Sequence, residues 1–481
     1  MIRTTTLLTL LLIFAFPING SFAQDSTSET KKRSIKKRVD NIVKDVFAQV
    51  ERELGTKIFD DDSEEDEECY ADSIEFENCQ YGNETFEYEF PQSERSSLYS
   101  FPTDRGIPRN YSTKISLDNL NDKFLFRYNR AEGLFLGIQS PHKFFWDRER
   151  KFVLFGSIGY GFGVHKWEYQ AGASQQFGFD NRLFEFGIEG HSLVDTRDQW
   201  LTGNLENTLN ALLLRYDYRD YFLRSGFSTW AGYYTRNQLA DMQLKISFAN
   251  DEYASLNNNV NWSLFRTKKS FRINPEINDG KIHSIILALD LHKIDDRKLH
   301  MAGWSTAFTA EFAGKSFKGD YEFNRYVFDA RRYQPIGKYD NLNFRFRAAT
   351  SNGILPVQRA YELGGISTLP AYMYKELTGN RLLLANIEYV VNGKMFSDDT
   401  GFPFSMLSNL NLILFYNAGY INNVADDVTF DEGFDTFKFN SLKSDLGFAI
   451  GSRDGKYRLG FAWKTDVKSP VSVFFRMSRP F

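Results

Sequence analysis

The sequence predicts an all-β chain, a transmembrane antiparallel β-barrel of about sixteen strands with a short N-terminal periplasmic tail. Three observations predict it: an export signal at the start, no apolar run of spanning length after it, and a procession of short alternating runs. Aromatics make up 16% of the 481 residues, with 46 Phe and 25 Tyr. The mean hydropathy is nonetheless negative, −0.43. Phe and Tyr spread over short alternating runs suit the aromatic girdles of a membrane barrel. Net charge is only −4, so no general affinity for nucleic acid follows.

The first residues, "MIRTTTLLTLLLIFAFPINGSFAQ", read as a secretory signal. Arg3 supplies the positive start, Leu7 to Phe16 form the apolar region, and Ser21-Phe22-Ala23 offers a small-x-small cleavage site. Residues 1–23 are the expected signal peptide. Beyond it no run of about 18 apolar residues occurs, which leaves a secreted soluble protein or a barrel. Only a closed barrel satisfies its backbone polar groups in lipid without helices.

Residues 24–111 read as a periplasmic tail. Ile35, Val39, Ile42, Val43, Val46, Phe47 and Val50 recur at helical spacing behind a basic start. The pattern suits either an amphipathic helix on a membrane surface or barrel mouth, or a marginal helix in a mobile tail. The acidic run at 60–68, "DDDSEEDEE", lacks the alternation and turn glycine of an EF-hand and reads as solvated chain. Cys69 and Cys79 are the only cysteines, and export makes a disulfide closing a small loop the natural expectation. A Ser/Pro/Arg-rich linker ends the tail.

Residues 112–481 form the expected barrel. Strands are expected near 132–140, 152–163, 166–177, 182–194, 226–237, 239–250, 254–266 and 280–293. The series continues near 302–313, 321–333, 341–352, 381–392, 410–422, 444–452, 457–466 and 470–481. Most have the roughly 9–11 residues that a membrane strand needs. The final run alternates: Val471, Val473, Phe475, Met477 and Arg479 on one face, Ser472, Phe474, Arg476, Ser478 and Pro480 on the other. Its terminal Phe481 is similar to the assembly signal of Gram-negative outer-membrane proteins, so the expected location is the cell outer membrane. One connection, 202–222, carries Leu205, Leu209, Leu212 and Leu213 at helical spacing. With the first strand ascending from the periplasm, this count places it on the periplasmic side.

A second connection, 363–380, reads "LGGISTLPAYMYKELTGN": paired glycines, a central proline, aromatics and a Lys-Glu pair. With "NRAEGLFLGI" at 129–138 and "RLLLANIEYVVNG" at 381–393, it makes the region from about 120 to 481 resemble the Omp85 superfamily, the surface-antigen D15 type of barrel. The resemblance implies sixteen strands and a long extracellular loop after the eleventh that folds back into the lumen. That family's loop tip is an aliphatic, Arg, Gly and aromatic tetrad, and the matching positions here are Leu369, Pro370, Ala371 and Tyr372. The Arg normally reaches an Asp within Phe-x-Asp-x-Gly on the thirteenth strand. Here that stretch holds Phe415, Asn417 and Gly419, with Asn417 in place of the Asp. Losing both halves of the pair avoids one buried charge left alone, a cost of several kcal/mol.

The resemblance implies a POTRA-lacking relative that places or translocates protein or lipid at the outer membrane through a weak seam between first and last strands. Residues 24–111 do not look like a POTRA module, so client delivery in the usual manner is not expected. The other reading is a passive channel, or a structural barrel that anchors a periplasmic partner through residues 24–68. The expected partners are outer-membrane lipid, the barrel-assembly machinery for its own insertion, and an unidentified periplasmic protein. No nucleic acid, cofactor or metal is expected. "HSLVD" sets His191 beside Ser192, but neighbours on a strand point to opposite faces and cannot share a proton there. The chain is therefore not expected to be an enzyme.

Overall fold

The computed structural model describes residues 123–477, apart from 147–148, 238–239, 266–268, 297–300, 338, 394–407, 436, 453–454 and 456. The signal, the tail, Cys69, Cys79 and Phe481 lie outside the described residues. The first half of the sheet is β1 (Phe124–Asn129), β2 (Gly133–Ser140), β3 (Lys151–Gly161), β4 (Lys166–Phe179), β5 (Arg182–Asp195), β6 (Phe222–Thr235), β7 (Asp241–Ser255) and β8 (Gly280–Asp296). Next come β9 (Met301–Ala313), β10 (Phe323–Ile336) and β11 (Asp340–Gly353), then a small ribbon of β12 (Tyr361–Leu363) and β13 (Leu377–Gly379). The remainder is β14 (Arg381–Asn392), β15 (Leu410–Asn422), β16 (Lys443–Ser452), β17 (Arg458–Lys464) and β18 (Ser472–Arg476). One helix, α1 (Asn204–Leu214), interrupts the series.

Sixteen strands form one antiparallel sheet in chain order, with β1 and β18 at its two ends and the β12–β13 ribbon outside it. Burial along most strands alternates, and its polarity is reversed from that of a water-soluble protein. On β15, Leu410, Leu412, Leu414 and Tyr416 are exposed while Asn411 and Asn417 are buried. On β5, Phe184, Phe186 and Ile188 are exposed while Glu185, Glu189 and His191 are buried. An apolar outer face and a polar inner face are what a bilayer selects in a transmembrane β-barrel. The last strand obeys the same rule, with Val471 and Val473 exposed and Phe474 and Arg476 buried.

Two details correct the strand series read from sequence. The described residues of 256–279 form no strand, although 254–266 alternates. That stretch is rich in asparagine, and its side chains bond nearby backbone instead: Asn258 donates to the Arg272 carbonyl, Asn259 to the Ala131 carbonyl, and Asn261 accepts from the Phe271 N–H. Conversely β1, a short "FLFRYN", is a strand that the sequence reading passed over. The errors cancel in the count, so the loop after β11 still follows the eleventh strand of the sheet.

They do not cancel for residues 202–222. That connection follows the fifth strand, not the fourth, and so leaves from the same end as the loop after β11. This end carries the four longest connections, 196–221, 256–279, 354–380 and 423–442, while those at the other run from residues 180–181 between β4 and β5 up to 393–409 between β14 and β15. Short turns face the periplasm and long loops the exterior in bacterial barrels. On the same premise of a first strand ascending from the periplasm, the 202–222 connection falls at the extracellular end and not at the periplasmic one.

Candidate functional site

The loop between β11 and β14 folds onto the inward face of the sheet. Two glycines start the bend: Gly364 has φ +116° and Gly365 φ +101°. A Cβ at Gly364 would lie 2.1 Å from the Met373 carbonyl oxygen, so only glycine fits. The small ribbon, Tyr361–Leu363 with Leu377–Gly379, closes the base of the loop. Leu363, Leu369, Tyr361 and Tyr372 then pack with inward-facing Val327, Ala349, Leu382 and Leu384 of β10, β11 and β14.

Each predicted tip residue has a definite place. Leu369 is fully buried in that cluster. Gly419 on β15 leaves room for its neighbour Leu363, because a Cβ there would sit 2.7 Å from Leu363 Cδ1. The Pro370 carbonyl accepts from Ser472 Oγ of β18 at 2.8 Å. The Ala371 N–H donates to Asp445 Oδ2 of β16 at 2.9 Å. Tyr372 donates its hydroxyl to Asp466 at 2.5 Å, with the Lys464 ammonium 4.1 Å from its ring centroid. Phe415 meets Phe474 edge-on, with centroids 5.9 Å apart.

Asn417 does not face an empty place. Cross-strand register sets Asn386, Asn417 and Asp445 side by side on β14, β15 and β16. Asn417 Nδ2 donates to Asp445 Oδ1 at 2.8 Å, and Asn386 Nδ2 donates both to Asn417 Oδ1 at 2.7 Å and to the Thr368 carbonyl at 2.9 Å. Arg345, next in the same row, donates to the Ser367 carbonyl at 3.3 Å. The tip is thus held by a row of side chains reading its backbone, with the Asp445 carboxylate beneath the Ala371 N–H. Sequence reasoning missed Asp445 because its place opposite Asn417 exists only once β15 and β16 are in register.

The Lys375-Glu376 pair separates. Glu376 accepts from Lys464 at 3.1 Å, while Lys375 reaches the other inward-folded connection. Its ammonium lies 2.9 Å from Asp198, 2.8 Å from Asp220 and 2.7 Å from Glu362. Burial opposes the Lys375 charge, but Asp198, Glu362 and Asp220 overrule it and raise its pKa above the ordinary lysine value. Burial likewise works against the Asp220 carboxylate, which Lys375, Arg272 and Arg130 hold down at about 2. Glu362 is different: burial, reinforced by Asp198 and Asp220, lifts it to about 7 against the pull of Lys375.

Asp198 and Asp220 belong to residues 196–221, which cross the inner face. Trp200 lies against the guanidinium groups of Arg345 and Arg347 on β11, 5.1 and 4.4 Å from its ring. Ser367 Oγ of the first loop donates to the Leu201 carbonyl at 2.5 Å. The two connections therefore form one assembly within the sheet. His191, on the inner face of β5, contacts Asp251 at 2.9 Å and Arg224 at 2.8 Å, an ion network between neighbouring strands. No group of His, Cys, Asp and Glu that would hold a metal occurs among the described residues.

The Omp85 superfamily domain matches residues 191–469, more than half of the chain. Among solved structures, the chain is similar to BamA from Haemophilus ducreyi lacking POTRA domains 1–3, with 12% identity, 74% of this chain and 68% of that chain covered, and a TM-score of 0.43. It is similar also to CdiB from Acinetobacter baumannii, at 13% identity over 71% of this chain and 55% of that one, TM-score 0.38. For CdiB from Escherichia coli the identity is 13% over 73% and 60%, with a TM-score of 0.36. The chain thus spans little more than half the length of the two CdiB proteins. No curated protein matches the sequence. With the domain match covering β6 to β17 and the inward loop, more than half of the chain, the chain belongs to the Omp85 superfamily of outer-membrane β-barrels.

Proposed function

We propose that the protein places or translocates protein or lipid at the outer membrane, using the junction of β1 and β18 as a gap in the wall. The observation that carries this reading is the weakness of those two strands. Among the described residues, β1 has 6 and β18 has 5 residues in strand conformation, whereas β5 to β11 run from 13 to 17. Strand pairing is built from successive ladder bonds and side-chain pairs, so short edges part more readily than long ones. A substrate with an unpaired strand or an acyl chain would meet both backbone donors and lipid at that line.

The test is a reversible lock. Single cysteines placed in turn along β1 are combined with single cysteines along β18 and just past it, in a strain that depends on this gene. If the reading holds, oxidation of the pair that cross-links abolishes complementation and alters the protein or lipid content of the outer membrane, and reductant restores both. A cross-linked barrel that complements fully would overturn it and leave the channel or anchor reading. Deleting residues 24–68 and recovering an unchanged set of copurifying proteins would then eliminate the anchor.

A further inference from the structure

We propose that α1 serves as a helical stave in the barrel wall, closing the junction between β1 and β18 and presenting its leucine stripe to the membrane. The proposal rests on the geometry of the junction and not on any placement activity.

The edge of β1 points its donors outward. Tyr128 stands opposite Leu134 on β2, and the Leu134 carbonyl is taken by the Phe162 N–H from the far side. The Tyr128–Leu134 pair is therefore a non-hydrogen-bonded one, and the Tyr128 N–H faces the open edge. There it meets Thr208 Oγ1 of α1 at 3.2 Å. Two residues earlier on the same helix, Glu206 Oε1 accepts from the Met477 N–H just past β18 at 3.0 Å. One helix thus supplies acceptors to both edges of the sheet. A helix suits that position because its own backbone is satisfied internally and it adds no unpaired edge to lipid.

The burial pattern places the helix in the wall as well as beside it. Phe124, Phe126 and Tyr128 share the outward face of β1, and the first two are 59% and 58% exposed. Tyr128 is only 5% exposed, because Ala211 of α1 and Phe271 pack over it. The helix therefore laps onto the membrane side of the last turn of β1. On the helix the polar Glu206, Asn207, Thr208 and Asn210 are buried, together with Ala211 and Leu213. Leu205, Leu209 and Leu212 lie on one helical face by their spacing; Leu205 is 63% exposed, and Leu209 and Leu212 are half-buried. A leucine stripe continuous with the outward row of β1 has hydrocarbon as its natural neighbour. The connection that makes this possible is long, because 196–221 must cross the inner face from β5 to reach the opposite edges.

Two measurements test the stave. A single cysteine at Leu205, carrying an environment-sensitive fluorophore in proteoliposomes, is compared with labels at Phe126→Cys and at buried Ser367→Cys. Quenching by nitroxide lipids should match the Phe126 label and exceed the Ser367 label several-fold, with little quenching by aqueous iodide. Iodide-dominated quenching at Leu205 would overturn the proposal. In the second measurement, Glu206→Ala with Thr208→Val removes both acceptors, and folding is verified by heat-modifiable gel mobility. Amide exchange in β1 and β18 peptides should speed up by tenfold or more while β6–β9 peptides stay unchanged. Should that variant not fold, Thr208→Ser and Thr208→Val are compared alone, since serine keeps the acceptor and should keep wild-type exchange. Equal exchange in β1 for acceptor-bearing and acceptor-lacking variants would also overturn it.

Discussion

At the scale of single residues, the loop tip is held through its backbone by side chains of the facing strands. Pro370 has no side-chain donor and Asn417 no charge, yet the tip stays docked because Asp445 accepts from the Ala371 N–H and from Asn417. Asp445→Ala strands both buried donors, each at about 1–3 kcal/mol. The expected outcome is a lower denaturant midpoint by tryptophan fluorescence and new protease cleavage within 364–376. Asp445→Asn keeps one acceptor oxygen and should fall between wild type and alanine. An alanine variant as resistant as wild type would show that the packing of Leu369 alone holds the tip.

The charge junction around Lys375 gives a pH dependence whose sign follows from Glu362. Its carboxyl is raised from 4.5 to about 7 in the fold, so the folded protein holds that proton more tightly than the unfolded chain. The associated stability is complete below pH 4.5 and declines as pH rises toward 7. Asp220 acts in the opposite sense in a more acidic window, losing its contribution as pH falls from 3.8 to about 2. Glu362→Gln should therefore flatten the midpoint-against-pH curve between 4.5 and 7.5. A curve in that variant as steep as wild type would assign the dependence to another group.

At the scale of elements, the paired glycines determine whether the loop can turn inward. Gly364→Ala puts a Cβ against the Met373 carbonyl in a positive-φ conformation, a strain on the order of 1–3 kcal/mol. The loop should become more susceptible to proteolysis while the strands keep their heat-modifiable mobility. The glycines and the proline were legible in the sequence as signs of an inward bend. The end of the barrel from which α1 departs was not, because a parity argument fails once a single strand is missed. "FLFRYN" was short enough to miss, and the asparagine-rich 254–266 alternated well enough to mislead. Side-chain bonds from Asn258, Asn259 and Asn261 to backbone, which a periodicity cannot register, take that stretch out of the sheet.

At the scale of the molecule, two connections from the extracellular end meet across the inner face through Ser367, Leu201, Lys375, Asp198 and Asp220. A barrel filled in this way should conduct poorly. Wild-type protein in planar bilayers is expected to show at most small, brief openings. Deleting 366–373, with 365 joined to 374, should increase conductance several-fold. Large steady conductance from the wild type would favour a channel.

By itself the sequence determined what local chemistry controls: the alternation that makes strands and the apolar and polar faces that make a membrane wall. Each depends on residues within about a dozen positions of one another, so each leaves a pattern that can be read directly. Only the tertiary structure decided which carboxylates surround Lys375, that Asp445 takes over beneath Ala371, and that α1 bridges the edges of β1 and β18. Those groups come from strands and loops far apart in the chain, and their meeting depends on register and on where each loop leaves the barrel. A change of one strand in the count moves α1 to the other side of the membrane. A slip of one residue between β15 and β16 would turn Asp445 toward the lipid, away from the loop that it holds.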